Sequence, residues 1–169
     1  TAVSEAERRQ YLQRIADGHV VAAYEGHTVT YAHAGASEPY DVTAVNESLI
    51  EAAAEMETAV GTAEDSMVQS ALPEKYPQVL GTGDRGVKGP EAGLVWIKFD
   101  YLSPDAPPQV VGHTRQSRPQ TKGNVHCQDL ILENRGSPGG QGVFVESPES
   151  LVAVRRDSAG NVAIETIDD

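Results

Sequence analysis

The sequence predicts a mixed α/β fold (α+β class), and three observations carry that reading. Helix-period patterning fills the first part of the chain. Short runs rich in Val, Ile and Thr, separated by Gly/Pro/Asn turns, fill the second. Two apolar runs also end abruptly in loops of small residues, as strands do in layered sheets. The 169 residues suffice for one domain with a real core and are too few for two. With 39% hydrophobic residues and 26 Gly plus Pro, the composition is globular rather than fibrous or disordered. The chain is read as one domain, 1–169, with residues 61–92 as a long loop or insert.

Taking the elements in order, Ser4-Glu5-Ala6-Glu7 is a capping box, and it starts a helix over residues 5–16. Tyr11, Leu12 and Ile15 form its buried side, and Gly18 stops it. Residues 19–24 and 28–32 read as two strands joined by a turn at Glu25-Gly26-His27. The second strand runs into His33-Ala34-Gly35-Ala36-Ser37, where small residues let a ligand approach the backbone. Residues 41–60 are helical, with Leu49, Ala52, Ala53 and Met56 on one face. A second short helix is read at 62–71, and the Gly/Pro-rich stretch 73–92 as irregular loop. Strands are read at 94–99, 109–111, 125–132, 142–146, 151–155 and 162–166, with turns at 136–142 and 157–160.

Charge narrows the function. Thirteen Lys+Arg oppose 25 Asp+Glu, giving −12. Nucleic-acid binding through a basic patch is excluded on that balance. Any phosphate chemistry must use metal ions to offset the repulsion. Only four of the thirteen cations are lysines. Such acidic, lysine-poor surfaces suit high salt, where the Debye length falls to about 3 Å at ~1 M. No apolar stretch reaches membrane-spanning length and no signal peptide opens the sequence. The single cysteine, Cys127, excludes an internal disulfide framework and fits the cytoplasm.

Two histidines stand out. His33 ends one apolar run and His113 ends another, each at a predicted strand tip. Strand tips are where layered α/β folds build sites, and imidazole is the commonest side-chain ligand of transition metals. A lone histidine there reads first as a hydrogen-bonded strand end. The two phrases that hold them are more informative. Thr30-Tyr31-Ala32-His33-Ala34-Gly35, followed by Val110-Val111-Gly112-His113-Thr114, resembles the last two blocks of the calcineurin-like metallophosphoesterases. The match is nearest the serine/threonine-phosphatase-like branch, which includes the bis(nucleoside) tetraphosphatases. Gly123-Asn124-Val125, Gly139-Gly140 and Val143-Phe144-Val145-Glu146 resemble that family's closing strands.

The resemblance implies a fold, ligands and a reaction. The fold would be the C-terminal half of a β-sandwich flanked by helices. His33 and His113 would bind one ion of a binuclear Mn, Fe or Zn centre that hydrolyses phosphate esters by a metal-bound hydroxide. Arg115 stands where many members have a second histidine; it is read as a contact for substrate phosphate or as a solvated arginine. Arg118 carries the same two readings. The family's Asp-x-His, Gly-Asp and Gly-Asn-His blocks should precede the first histidine, and 32 residues leave no room for them. The expectation is therefore part of such an enzyme, weak in metal binding and in turnover by itself. The alternative is a non-catalytic binding or assembly domain that keeps this half of the fold. Exposed strand edges of a half-fold also predict a homo-oligomer or disorder near residues 61–92.

Other residues read blandly. Asp17-Gly18-His19, Gly83-Asp84-Arg85-Gly86 and Gly123-Asn124-Val125-His126 echo family blocks in the wrong order or setting. Cys127 reads as a buried small hydrophobe. Trp96 and Phe99 read as core or lid, and Tyr101 and Asp105 as loop residues bordering a site.

Overall fold

The computed structural model describes residues 3–130 and 142–167. Among them a mixed α/β architecture is observed, with four α-helices, a five-stranded sheet and a three-stranded sheet. The turn read at 136–142 and the Gly139-Gly140 phrase lie outside the described residues, apart from Gly142.

Helix α1 (Glu5–Ala16) begins as its capping box dictates. Ser4 Oγ accepts from the Glu7 amide at 3.3 Å, and the Glu7 carboxylate accepts from the Ser4 amide at 2.8 Å. Gly18, in the left-handed region at φ +72°, ends it. The helix buries less than its pattern predicts. Tyr11 is 60% exposed, Ile15 is half-buried, and only Leu12 packs on a core cluster. Charge docks the helix instead: the Arg8 guanidinium donates to both Asp65 oxygens at 2.6 and 2.8 Å, and Arg9 donates to the Glu57 and Val60 carbonyls.

Strands β1 (Ala23–Glu25) and β2 (Thr30–Ala32) form an antiparallel hairpin closed by Gly26 N–H on Val29 O. Residues 19–22 stay outside the strand, because the Asn46 side chain takes the Ala22 and Ala23 amides and donates to the Ala23 carbonyl. Helix α2 (Val42–Ala59) is capped by Asp41 and buries Val45, Ala52, Ala53, Met56 and Ala59.

Residues 61–92 are not one long loop. They carry α3 (Asp65–Lys75) and α4 (Pro77–Leu80), and Leu72, Tyr76 and Val79 are buried. Of the prolines that read as breakers, Pro77 opens α4, where helices accept it, and Pro73 lies inside the last turn of α3, which continues two residues beyond it despite the missing N–H. Irregular structure is confined to 81–93, pinned by a bridge between Thr82 and Ala92. The strand read at 94–99 is a turn, with Trp96 and Ile97 both donating to the Gly93 carbonyl. Leu94 and Ile97, each 1% exposed, reach the core three residues apart, a helical-turn spacing rather than the two of a strand.

Strand β3 (Gln109–Val111) lies parallel to β2 on one side and to β5 (Val125–Cys127) on the other. Strand β4 (Gln120–Lys122), which the pattern does not reveal, pairs antiparallel with β5 across a turn at Gly123. The order is β1-β2-β3-β5-β4, with three parallel strands at the centre. Strands β6 (Gly142–Ser147), β7 (Ser150–Arg156) and β8 (Val162–Ile167) form an antiparallel meander close to the segments the pattern marks. Leu151 carries the contact between the two sheets, against Val29 and Val110, with Tyr31, Phe144 and Ile167 around it. Among the described residues no helix is long and apolar enough to cross a membrane.

Candidate functional site

Parallel pairing of β2, β3 and β5 sends all three C-terminal tips to one edge of the sheet. Ala32 stands opposite Val111, and Val111 opposite Cys127. The ladder continues one step further, with Gly112 N–H on His33 O at 2.9 Å. That pairing brings the two histidines together: His33 Nε2 and His113 Nδ1 share a hydrogen bond at 3.1 Å, one of them carrying the proton that a metal ion would displace, with ring centroids 5.0 Å apart. Eighty residues separate them in sequence.

Each tip is held by its own scaffold. The loop after His33 needs glycine at position 35, where φ is +95° and a Cβ would stand 2.4 Å from Gln109 Oε1. Gln109, 1% exposed, clasps that loop through its amide. Its Oε1 accepts from Ala36 N–H at 3.0 Å, and its Nε2 donates to Ala36 O and Pro107 O. The tip at His113 is strained. His113 has φ +60°, and Thr114 N–H closes back on Gly112 O at 2.6 Å. This is a γ-turn of the rare positive-φ kind, a conformation that persists only where its surroundings impose it. Those surroundings are Phe99 N–H on Thr114 Oγ1 at 2.8 Å and the Cys127 thiol donating to Thr114 O at 3.4 Å. Cys127 is thus a buried structural thiol; burial, ahead of the nearby acids, pushes its pKa up and away from nucleophilic chemistry.

An open cleft of about 510 Å³ lies over these tips. His33, His113, Gln128 and Asp129 line it, with Tyr24 and Tyr31 on one wall. Asp129 follows β5 as the histidines follow β2 and β3, and its charge acts on His113. Sequence reading misses Asp129 because one carboxylate in a loop has no pattern; only the strand register brings it here. Lys88 and Trp96 adjoin His113 without lining the cleft. Lys88 Nζ sits 3.8 Å over the Trp96 ring, and that ring meets His113 edge-on at 5.8 Å.

Partial burial, then the charges of His33 and Lys88, hold the His113 pKa below the ordinary 6.5. At neutral pH its imidazole is uncharged, the form that binds a metal. The spacing of the pair also fits a metal. Two nitrogens each ~2.0–2.1 Å from one ion are about 2.9–3.4 Å apart for bond angles of roughly 90–110°. The observed 3.1 Å falls in that range. Among the described residues no group of three or more His, Cys, Asp or Glu is arranged to hold an ion.

Several sequence candidates stay apart from the pair. Arg115 and Arg118 are exposed and do not line the cleft. Nor do Tyr101 and Asp105. His126 points from β5 to the other sheet, beside Phe144 and within 3.1 Å of Thr121 Oγ1. Asp17 and His19 flank the end of α1, and Asp84 lies in the 81–93 loop. No family model, curated protein or solved structure matches the chain.

Proposed function

We propose that this chain is part of a metal-dependent phosphoesterase acting in the cytoplasm of a salt-adapted cell. His33 and His113 bind one divalent ion, Mn, Fe or Zn. The single observation that supports this most is the 3.1 Å approach of two imidazole nitrogens at adjacent parallel strand tips. The resemblance of the two histidine phrases supports it independently. When bound, divalent ions lower the pKa of a ligated water and neutralise charge on phosphoryl oxygens.

The chain's own residues supply position and protonation state. The γ-turn fixes the His113 ring, and the Gln109 clasp fixes the loop after His33. His113 offers its lone pair because burial and nearby positive charge keep it neutral. The Trp96 backbone accepts from the His113 ring, which orients it and raises its basicity, and Asp129, at the third tip, acts on it through its charge. Two imidazoles and one carboxylate fall short of a binuclear centre, so the reading requires further donors from outside these residues.

Calorimetric titration with Mn²⁺ tests the assignment. His33→Ala and His113→Ala should each weaken binding at least about tenfold, by loss of one ligand from a weak site. Equal affinity in wild type and both variants overturns it.

A further inference from the structure

We infer that Lys88, carried on the face of Trp96, is a substrate-binding residue that contacts a phosphoryl oxygen beside the histidine pair. The inference rests on the phosphoesterase reading for its ligand class, and on separate geometry for its residue.

Cations are scarce in a chain of net charge −12, which has only four lysines. Lys75 is paired with Glu55, and Lys122 donates to the Phe99 and Asp100 carbonyls. Among the described residues neither Lys88 nor Lys98 forms an ion pair, and of these two only Lys88 lies over an aromatic ring. Its ammonium lies 3.8 Å over the Trp96 ring. An aromatic face holds a cation without neutralising it, leaving the charge for an incoming anion.

The backbone around Lys88 is built to hold it there. Lys88 has φ +57°, and Arg85 in the same loop has φ +51°. Neither is glycine, so the conformation carries strain that the surroundings impose. Lys88 N–H donates to Thr82 O at 2.9 Å, and the Thr82–Ala92 bridge closes the loop. Trp96 in turn abuts His113. The cation thus lies on the face of a ring whose edge meets an imidazole that lines the cleft. The Lys88 charge already acts on His113, so a phosphoryl group held at the histidine pair would lie within the field of the ammonium.

Trp96 is the only tryptophan, so its emission reports directly on this stack. The experiment is a titration of the full chain with inorganic phosphate at constant ionic strength, metal-free and with Mn²⁺. Wild type should show a saturable change in emission. Lys88→Ala should weaken phosphate at least fivefold, and Lys88→Arg should stay within twofold of wild type. Melting temperature confirms that both variants fold. Mn²⁺ affinity is measured separately by calorimetry in each variant, and the metal-free phosphate titration isolates the contribution of Lys88 to phosphate from any effect on the metal. Undiminished phosphate affinity in Lys88→Ala overturns the inference, and so does a wild type that shows no saturable response with or without Mn²⁺. Loss of phosphate binding in Lys88→Ala alongside absent Mn²⁺ binding would overturn the metal assignment and leave the role of Lys88 standing.

Discussion

At the scale of single residues, the site depends on groups that never face the cleft. Gln109 uses both amide N–H donors and its oxygen inside the core, to Ala36 and Pro107. Gln109→Leu keeps the volume but strands the Ala36 amide and carbonyl. Unmet buried polar groups cost about 1–3 kcal/mol, so a chemical melt should show a loss of that size. Gly35→Ala meets Gln109 Oε1 at 2.4 Å and Val111 Cγ1 at 2.6 Å, on a backbone that disfavours a side chain. Its destabilisation should match or exceed that of Gln109→Leu, read in the same melt. His33 and His113 were legible because each sits in a phrase whose neighbours are constrained too. Gln109 and Asp129 were not. A glutamine in an apolar run and an aspartate after one look like ordinary strand-end residues until register shows what they face.

Among the elements, the hinge between the two sheets is a carboxylate in a turn. Glu146, on β6, accepts from the Thr28 and Val29 amides and the Thr28 hydroxyl in the β1–β2 turn, and from the Tyr31 hydroxyl. Gly26 makes room, since a Cβ there would lie 2.3 Å from Glu146 Oε2. Burial raises the Glu146 pKa, but the backbone bonds from Thr28, Val29 and His27 outweigh it and bring the value from 4.5 to about 2. A folded pKa below the unfolded one adds stability that is complete above the unfolded value. That stability is lost as pH falls toward the folded value. Wild type should therefore lose stability between about pH 4.5 and pH 2 through this group. Glu146→Gln should be less stable at pH 7 and flatter across that window, measured by urea melts at stepped pH. Equal acid slopes would remove Glu146 as the coupling residue. Element type was readable where periodicity was long, as in α1 and α2, or strongly alternating, as in β6 to β8. It held for the short helix read at 62–71, and it failed at 94–99, where Leu94 and Ile97 serve a turn, and at 73–80, where helix continues through and after Pro73.

For the whole molecule, the net charge of −12 sets how the protein responds to salt. Self-repulsion opposes the compact state, and it is screened once the Debye length falls to about 3 Å near ~1 M salt. The melting temperature should rise steadily from 0.1 to about 2 M KCl, whereas a flat or falling trend would argue against a salt-adapted surface. The general layout, helices first and sheets after, followed from composition and pattern. The resemblance implies that His33 and His113 share an ion, whereas the physical means of their meeting, parallel pairing across an eighty-residue crossover, is encoded by no local pattern. The most direct test uses the five histidines as internal controls for one another. Mn²⁺ is added in substoichiometric steps while the imidazole proton–nitrogen spectrum is recorded. The His33 and His113 signals should broaden first and together, before those of His19, His27 and His126. Uniform broadening of all five, or earlier broadening at any of those three, would contradict a metal site at the strand tips.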